Sequence, residues 1–322
     1  MKMTKTIAAF ALTAVAASTA LQANEPEYEA TTATAPVKAA AKSASGKNFK
    51  QPVIETPTPA FTGTISTGYD SMYNFRGIDW IPNTGIWTVT FAPTWHITAN
   101  DTLTMPLWFC VAVGQTGNSA PYNGNPYTEL DIPINYMHTF GNFGLGCGYT
   151  MYNYFNYGFP RTGAVNGLPG AYTPGGTGIQ HEVNVTMNYT VKTGAVSWTP
   201  SITYFYELGQ AAPNNYASIN AGSSFLSPAL AASVPLYKDI VSFNPVTQYN
   251  LSFGYNLDNQ GKKVFGFNNW QLVAPITWKI TSSIALTGYI AYTYQPDLMN
   301  SVSLTSTPIS KAYAGGSLSY SF

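Results

Sequence analysis

His181-Glu182-Val183-Asn184-Val185-Thr186-Met187-Asn188-Tyr189-Thr190-Val191-Lys192 alternates without a break. Val183, Val185, Met187, Tyr189 and Val191 fall on one side. Glu182, Asn184, Thr186, Asn188 and Lys192 fall on the other. A period of two is the repeat of an extended strand, whose successive side chains point to opposite faces. The pattern recurs along the chain. Segment 85–98 sets Trp87, Val89, Phe91, Trp95 and Ile97 against Thr88, Thr90, Thr94 and His96. Segment 102–114 sets Leu103, Met105, Leu107, Phe109, Val111 and Val113 against Thr102, Thr104, Cys110 and Gly114. Segment 128–140 sets Leu130, Ile132, Ile134 and Tyr136 against Glu129, Asp131 and Asn135. Segments 143–155, 196–208, 246–257, 270–281, 283–294 and 311–322 behave likewise.

Composition decides what surrounds these strands. The 322 residues are 45% hydrophobic and only 9% charged, whereas a soluble globular chain carries about 25% charged residues to keep its surface wet. No stretch after residue 25 approaches the ~20 consecutive apolar residues of a membrane-crossing helix. Little charge without long apolar runs fits a barrel whose strands are greasy on one face only. Aromatic residues make up 15% of the chain, with 23 Tyr and 7 Trp. Amphipathic rings of this kind form the girdles at the two lipid–water boundaries. The polar faces carry Thr, Ser, Asn and Gly with few charges, as the lining of a partly watered lumen would. The expected fold is therefore all-β: a single antiparallel transmembrane β-barrel of about twelve strands, or ten if 209–268 is irregular.

Connections alternate in length. Short turns are expected at 99–101, 141–142, 193–195 and 281–282, and long ones at 115–126, 156–180 and 209–239. Short periplasmic turns and long external loops are the habit of outer-membrane barrels, so the first strand starts in the periplasm and Phe322 returns there. The Gly-rich run 174–178 reads as part of an external loop. Pro93, Pro106, Pro133, Pro200 and Pro275 fall inside strands and each removes a ladder donor; β-bulges are the expected remedy.

The first 58 residues are of another kind. Lys2 and Lys5 precede a short apolar run from Ile7 to Val15 and then small residues, the plan of a secretory signal peptide over 1–23. Residues 24–58, rich in Ala, Thr, Pro and Lys, have too little apolar surface to offset ordering entropy and read as a disordered periplasmic linker. The barrel is assigned to 59–322. Losing Lys2 and Lys5 leaves no basic excess, so nucleic acid is not an expected partner.

The chain ends on a strand. Leu318, Tyr320 and Phe322 share a face, and a terminal strand closing on Phe is expected to be read by the barrel assembly machinery. The stretch Thr64-Ile65-Ser66-Thr67-Gly68-Tyr69-Asp70-Ser71-Met72-Tyr73-Asn74-Phe75-Arg76-Gly77-Ile78-Asp79 resembles the first strand and loop of the TorF-like family of outer-membrane porins, where a strand leads into Ser-x-Tyr-x-Phe-Arg-Gly. His181-Glu182-Val183 and the final Leu318-Ser319-Tyr320-Ser321-Phe322 look similar as well. The resemblance covers about residues 61–322 and implies a Gram-negative outer-membrane barrel and a pore.

Candidate pore-lining residues follow from face and charge: Asp70, Arg76, Asp79, Glu129, Asp131, Glu182, Lys192, Glu207 and Lys279. Rings of charged side chains filter ions, and Arg76 is expected to face the carboxylates across the lumen or to anchor the first loop by a salt bridge. His96, His138 and His181 do not converge, so neither a catalytic triad nor a metal site is expected, and no cofactor is called for. Cys110 falls on the lumen face and Cys147 on the lipid face, which predicts two free thiols. The expected function is passive diffusion of small hydrophilic solutes across the outer membrane. The alternative is a structural or surface-interaction barrel whose lumen is plugged, with Phe225, Leu226, Leu230 and Val234 of the 209–239 connection as the plug.

Overall fold

The computed structural model describes residues 60–76, 78–79, 84–113, 127–160, 172–211, 222–257, 263–295 and 310–322. The signal peptide and linker assigned to 1–23 and 24–58 lie outside the described residues. Twelve strands form one closed sheet. They are β1 (Phe61–Asp70), β2 (Gly85–His96), β3 (Asp101–Thr104 continued by Leu107–Val113) and β4 (Thr128–Phe140). Next come β5 (Phe143–Pro160), β6 (Tyr172–Tyr189 continued by Val191–Thr193), β7 (Val196–Ala211) and β8 (Ser224–Tyr237). The last four are β9 (Val241–Phe243 continued by Val246–Leu257), β10 (Lys263–Lys279), β11 (Ile284–Tyr294) and β12 (Lys311–Ser321). Each pairs antiparallel with its neighbours in sequence, and β1 closes the circle against β12 from Thr64 opposite Ser321 to Asp70 opposite Gly315. Closure gives every strand a neighbour on both sides, a condition that hydrocarbon imposes because it offers no hydrogen bonds to a free edge.

The two faces separate as the alternation requires. Ile65, Val89, Ile134, Leu145, Met187, Leu230, Leu272, Ile276, Ile290 and Leu318 point outward and are exposed. Rings flank them at both ends, with Phe61, Trp95, Phe140, Tyr189, Trp198, Trp278, Tyr320 and Phe322 toward the short turns. Tyr69, Trp87, Phe253, Phe265 and Tyr294 lie toward the long connections. Facing in are Thr64, Thr88, Thr90, Thr186, Thr203, Thr277 and Thr287, all buried. Their hydroxyls pair across strands, Thr186 with Thr203 at 3.0 Å and Thr277 with Thr287 at 3.1 Å. On β5, Gly148 faces inward, and a Cβ there would collide with the Asn135 side chain of β4; the glycine lets that amide lie across the wall. Cys110 is buried inside and Cys147 exposed outside, both as free thiols.

Three sequence expectations are corrected. The long connection placed at 209–239 contains β8, so Phe225, Leu226, Leu230 and Val234 belong to the barrel wall and not to an inserted plug. Phe225 is buried on the lumen side and Leu230 exposed on the lipid side. The alternation is hard to see there because Ala229 and Ala231 take lumen positions and blunt the contrast between faces. The turn that ends β8 was hidden too. Ile240 N–H donates to the Tyr237 carbonyl at 2.7 Å, and both central residues, Lys238 and Asp239, have positive φ (43° and 58°). That is the backbone sign of a type I′ hairpin, which usually announces itself by Asn-Gly. Second, the 156–180 connection is shortened at both ends, because β5 continues to Pro160 and β6 starts at Tyr172. The run 174–178 is thus strand and not loop. Third, the strand expected over 270–281 starts earlier, at Lys263, so 263–269 is the outer part of β10.

The prolines sit beside interruptions in adjoining strands. β3 breaks at Met105–Pro106, between Thr104 and Leu107. Pro93 of β2 lies next to that break, and its carbonyl accepts from Met105 N–H at 3.1 Å. Pro133 of β4 lies opposite it, between the partners of Thr104 and Trp108. Pro275 faces the break at Asn244–Pro245 in β9, and Pro200 faces the break at Thr190 in β6. A missing donor therefore meets a place where its neighbour's ladder already lapses, which spares an orphaned partner.

Candidate functional site

The connection after β1 turns into the lumen instead of away from it. Asn74–Phe75 pairs with Ile78–Asp79 in a two-stranded ribbon, and the residues that lead into it pack against nearly the whole inner wall. Met72 is buried with Val273 of β10, Tyr289 and Ala291 of β11 and Tyr313 of β12. Tyr73 lies against Trp108 of β3 at 5.8 Å between ring centroids and donates its hydroxyl to Glu129 of β4 at 2.8 Å. Phe75 meets Tyr152 of β5 edge-on at 5.9 Å. The loop thus meets β3, β4 and β5 on one side of the lumen and β10, β11 and β12 on the other.

Arg76 is the centre of this packing and is wholly buried. Its Nη2 donates to Glu182 Oε1 at 2.7 Å and its Nη1 lies 2.6 Å from Oε2, a two-pronged pairing of guanidinium and carboxylate. Tyr152 donates to the same Oε1 at 3.0 Å. The guanidinium carbon lies 4.4 Å from the Phe205 ring centroid, 4.5 Å from Tyr255 and 5.1 Å from Phe225. Cation–π attraction and the ion pair together offset removal of the charge from water. Asn256 of β9 and Asn268 of β10 both donate to the Arg76 carbonyl, at 2.9 and 2.8 Å. Arg76 adopts φ 48°, a left-handed conformation that costs a non-glycine residue about 1 kcal/mol or more. The chain accepts this strain because side chain and carbonyl are gripped from three directions.

Acidic groups surround the loop. Asp70, Glu129, Asp131, Glu182 and Glu207 are all buried, none more than 2% exposed. Tyr289 donates to Asp70. Gln180 donates to Glu207 Oε2 at 2.6 Å and to the Tyr255 hydroxyl at 3.0 Å, while Tyr154 donates to Gln180 Oε1 at 2.9 Å. Glu207 and Glu182 stand directly opposite each other on β7 and β6.

Of the residues expected in the site, Asp70, Arg76, Glu129, Asp131, Glu182 and Glu207 share the outer half of the lumen. The backbone of Asp79 lies in the ribbon, and its side chain is outside what the structure describes. Lys192 and Lys279 do not join them. Lys192 is exposed at the periplasmic end of β6, ten residues past Glu182 and so roughly 33 Å along the strand. Lys279 ends β10 opposite Ala285, also at the periplasmic rim. Sequence reasoning missed the aromatic wall of Trp108, Tyr152, Phe205, Phe225 and Tyr255. The available signal was a bulky ring at the inward parity of strands otherwise lined by Thr and Asn. The histidines stay apart: His96 bonds Thr62 at 3.0 Å, His138 bonds Asp101 at 2.6 Å and His181 bonds Tyr149 at 2.7 Å. Among the described residues no three His, Cys, Asp or Glu gather as metal ligands.

Comparison with protein-family models finds no match, and comparison with curated protein sequences finds none. Comparison with solved structures finds outer-membrane barrels. An outer membrane channel from Pseudomonas putida F1 matches with a TM-score of 0.52 and 10% identity, over 85% of this chain and 100% of that one. The beta domain of the Bordetella autotransporter BrkA matches with a TM-score of 0.47 and 9% identity, over 81% and 99%. The translocator domain of autotransporter NalP from Neisseria meningitidis gives 0.44 and 12%, over 83% and 90%. The match to the channel, together with the closed sheet, gives this chain the fold of an outer-membrane β-barrel.

Proposed function

We propose that this chain is an outer-membrane channel for passive diffusion of small hydrophilic solutes, with the loop after β1 as its constriction and cations favoured over anions. The observation that carries this reading is the set of five carboxylates turned into the lumen around one inserted arginine. Buried charge is costly, and a barrel needed only as scaffold is at least as stable with an apolar filling. Charged groups at a narrowing are what ion filters are made of. Twelve strands leave a bore wider than the side-chain-filled interior of about eight and narrower than the open lumen of about 16–18. Leu318, Tyr320 and Phe322 would be the stretch read by the assembly machinery, and outer-membrane lipid the solvent of the outward face. A TorF-like porin is the finer family reading, supported by the quoted motif, whose Tyr73, Phe75 and Arg76 are the residues inserted in the lumen.

A second reading has its own support. Tyr73 and Arg76 are no more than 1% exposed, so a barrel plugged at rest, with no transport role, would look the same. Planar-bilayer recording separates the two. Pure folded protein should give small stepwise currents whose reversal potential under a KCl gradient reports cation selectivity. A silent membrane, with protein shown to be folded and inserted, would favour the plugged barrel.

A further inference from the structure

The cage around Arg76 belongs mostly to the barrel wall; the loop brings the occupant and Phe75, whose ring centroid lies 5.3 Å from the guanidinium carbon. Glu182 lies on β6, Phe205 and Glu207 on β7, Phe225 on β8 and Tyr255 on β9, four neighbouring strands that fix these side chains relative to one another. The ring centroids of Phe205, Tyr255 and Phe225 stand 4.4 to 5.1 Å from the guanidinium carbon, and Glu182 takes both ends of the fork. Each of these side chains is nearly or wholly buried. Arg76 enters on a backbone held in the left-handed region. The arrangement is that of a receptor site filled by a tethered ligand.

We propose that this cage is a binding site for solutes that carry a guanidinium group, and that Arg76 occupies it as an internal ligand while the loop is inserted. The proposal deepens the channel reading and rests on it for solute access to the lumen. Two arguments fix the class of ligand. Glu182 holds both ends of the Arg76 fork, so when the loop withdraws, a buried carboxylate loses its cation. A buried charge without a partner is strongly unfavourable, and an incoming cation relieves it. A planar guanidinium matches a carboxylate with two parallel hydrogen bonds and stacks its faces on rings, while an ammonium is a compact, strongly hydrated point charge with neither property. An anion would be repelled.

The test uses Arg76→Ala and Arg76→Gln barrels, which lack the tethered cation, and three probes of similar size: methylguanidinium, isobutylammonium and neutral methylurea. Calorimetric titration of the folded, detergent-solubilised protein should show methylguanidinium binding at least about tenfold more tightly than the other two. Wild type, whose cage is filled, should bind it at least about tenfold more weakly than Arg76→Ala does. Adding Glu182→Leu to Arg76→Ala should abolish the preference. Equal, weak binding of all three probes, or a preference that survives Glu182→Leu, would overturn the proposal. Where Arg76→Ala does not fold in buffer, recovery of the folded, heat-modifiable band on refolding with methylguanidinium but not methylurea is the supporting result, and no recovery the opposing one. Binding is read without ion flow, so failure here leaves the channel reading standing. Binding by a barrel that never conducts would remove the channel reading instead.

Discussion

Glu182→Leu should lower the stability of the folded barrel by about 3–5 kcal/mol, seen as an earlier midpoint in urea unfolding from lipid vesicles. The physical reason is one-sided removal of a buried pair. Arg76 is fully covered, and its two short contacts go to this carboxylate. A guanidinium left in that place has rings around it but has lost the charge that balanced it, and breaking one partner of a buried ion pair costs about this much. The double variant Arg76→Met, Glu182→Leu removes both charges and keeps the volume. It should recover most of the loss, because a buried pair exchanged for apolar groups of similar shape is often neutral. If the single variant unfolds at the wild-type midpoint, Arg76 is not held by Glu182, and the loop is not locked in the bore.

The second large effect lies on the other face. Ile290 of β11 is 70% exposed and sits at mid-strand, opposite Ala274 on β10 and Ala314 on β12. In a bilayer this is the hydrocarbon midplane, where an arginine on the lipid face costs about 2–4 kcal/mol. Ile290→Arg should therefore destabilise the barrel by that amount in vesicles and reduce its yield of insertion. Ser319→Arg, on the lumen side near the periplasmic rim, should have little effect, because water reaches the new charge. A soluble barrel would show the opposite ranking, since an exposed isoleucine on a wet surface is easily replaced by arginine.

Much of this was legible in the residues. β4 begins and ends where period-two alternation does, at Thr128–Phe140, and so does the longer part of β9, Val246–Leu257. Face assignments for Cys110, Cys147, Glu129 and Glu182 follow from the same parity, because a strand inverts its side chains every residue. Parity gives the face but not the height. Lys192 and Lys279 sit on inward positions at the periplasmic rim, and only strand register shows that they are far from Arg76. Where alternation is weak, as in the Ala- and Pro-rich β8, the residues read as a loop although they form a strand. The ring cage was illegible for another reason. Phe205 and Phe225 look misplaced on a polar face until a loop is known to enter the lumen and lie against them, and nothing in local periodicity reports on a contact with a residue some 130–150 positions away. The motif Ser71–Gly77 carried that information only through resemblance.

The most direct measurement is single-channel current after Met72–Arg76 is replaced by a Gly-Ser stretch of equal length. The replacement removes Tyr73, Phe75 and Arg76 from the bore and leaves the twelve strands and their carboxylates in place. Conductance should rise several-fold over wild type, and cation selectivity should strengthen because Arg76 no longer offsets Glu182. Folded barrels whose current is no larger than that of wild type would contradict a lumen narrowed by its own first loop.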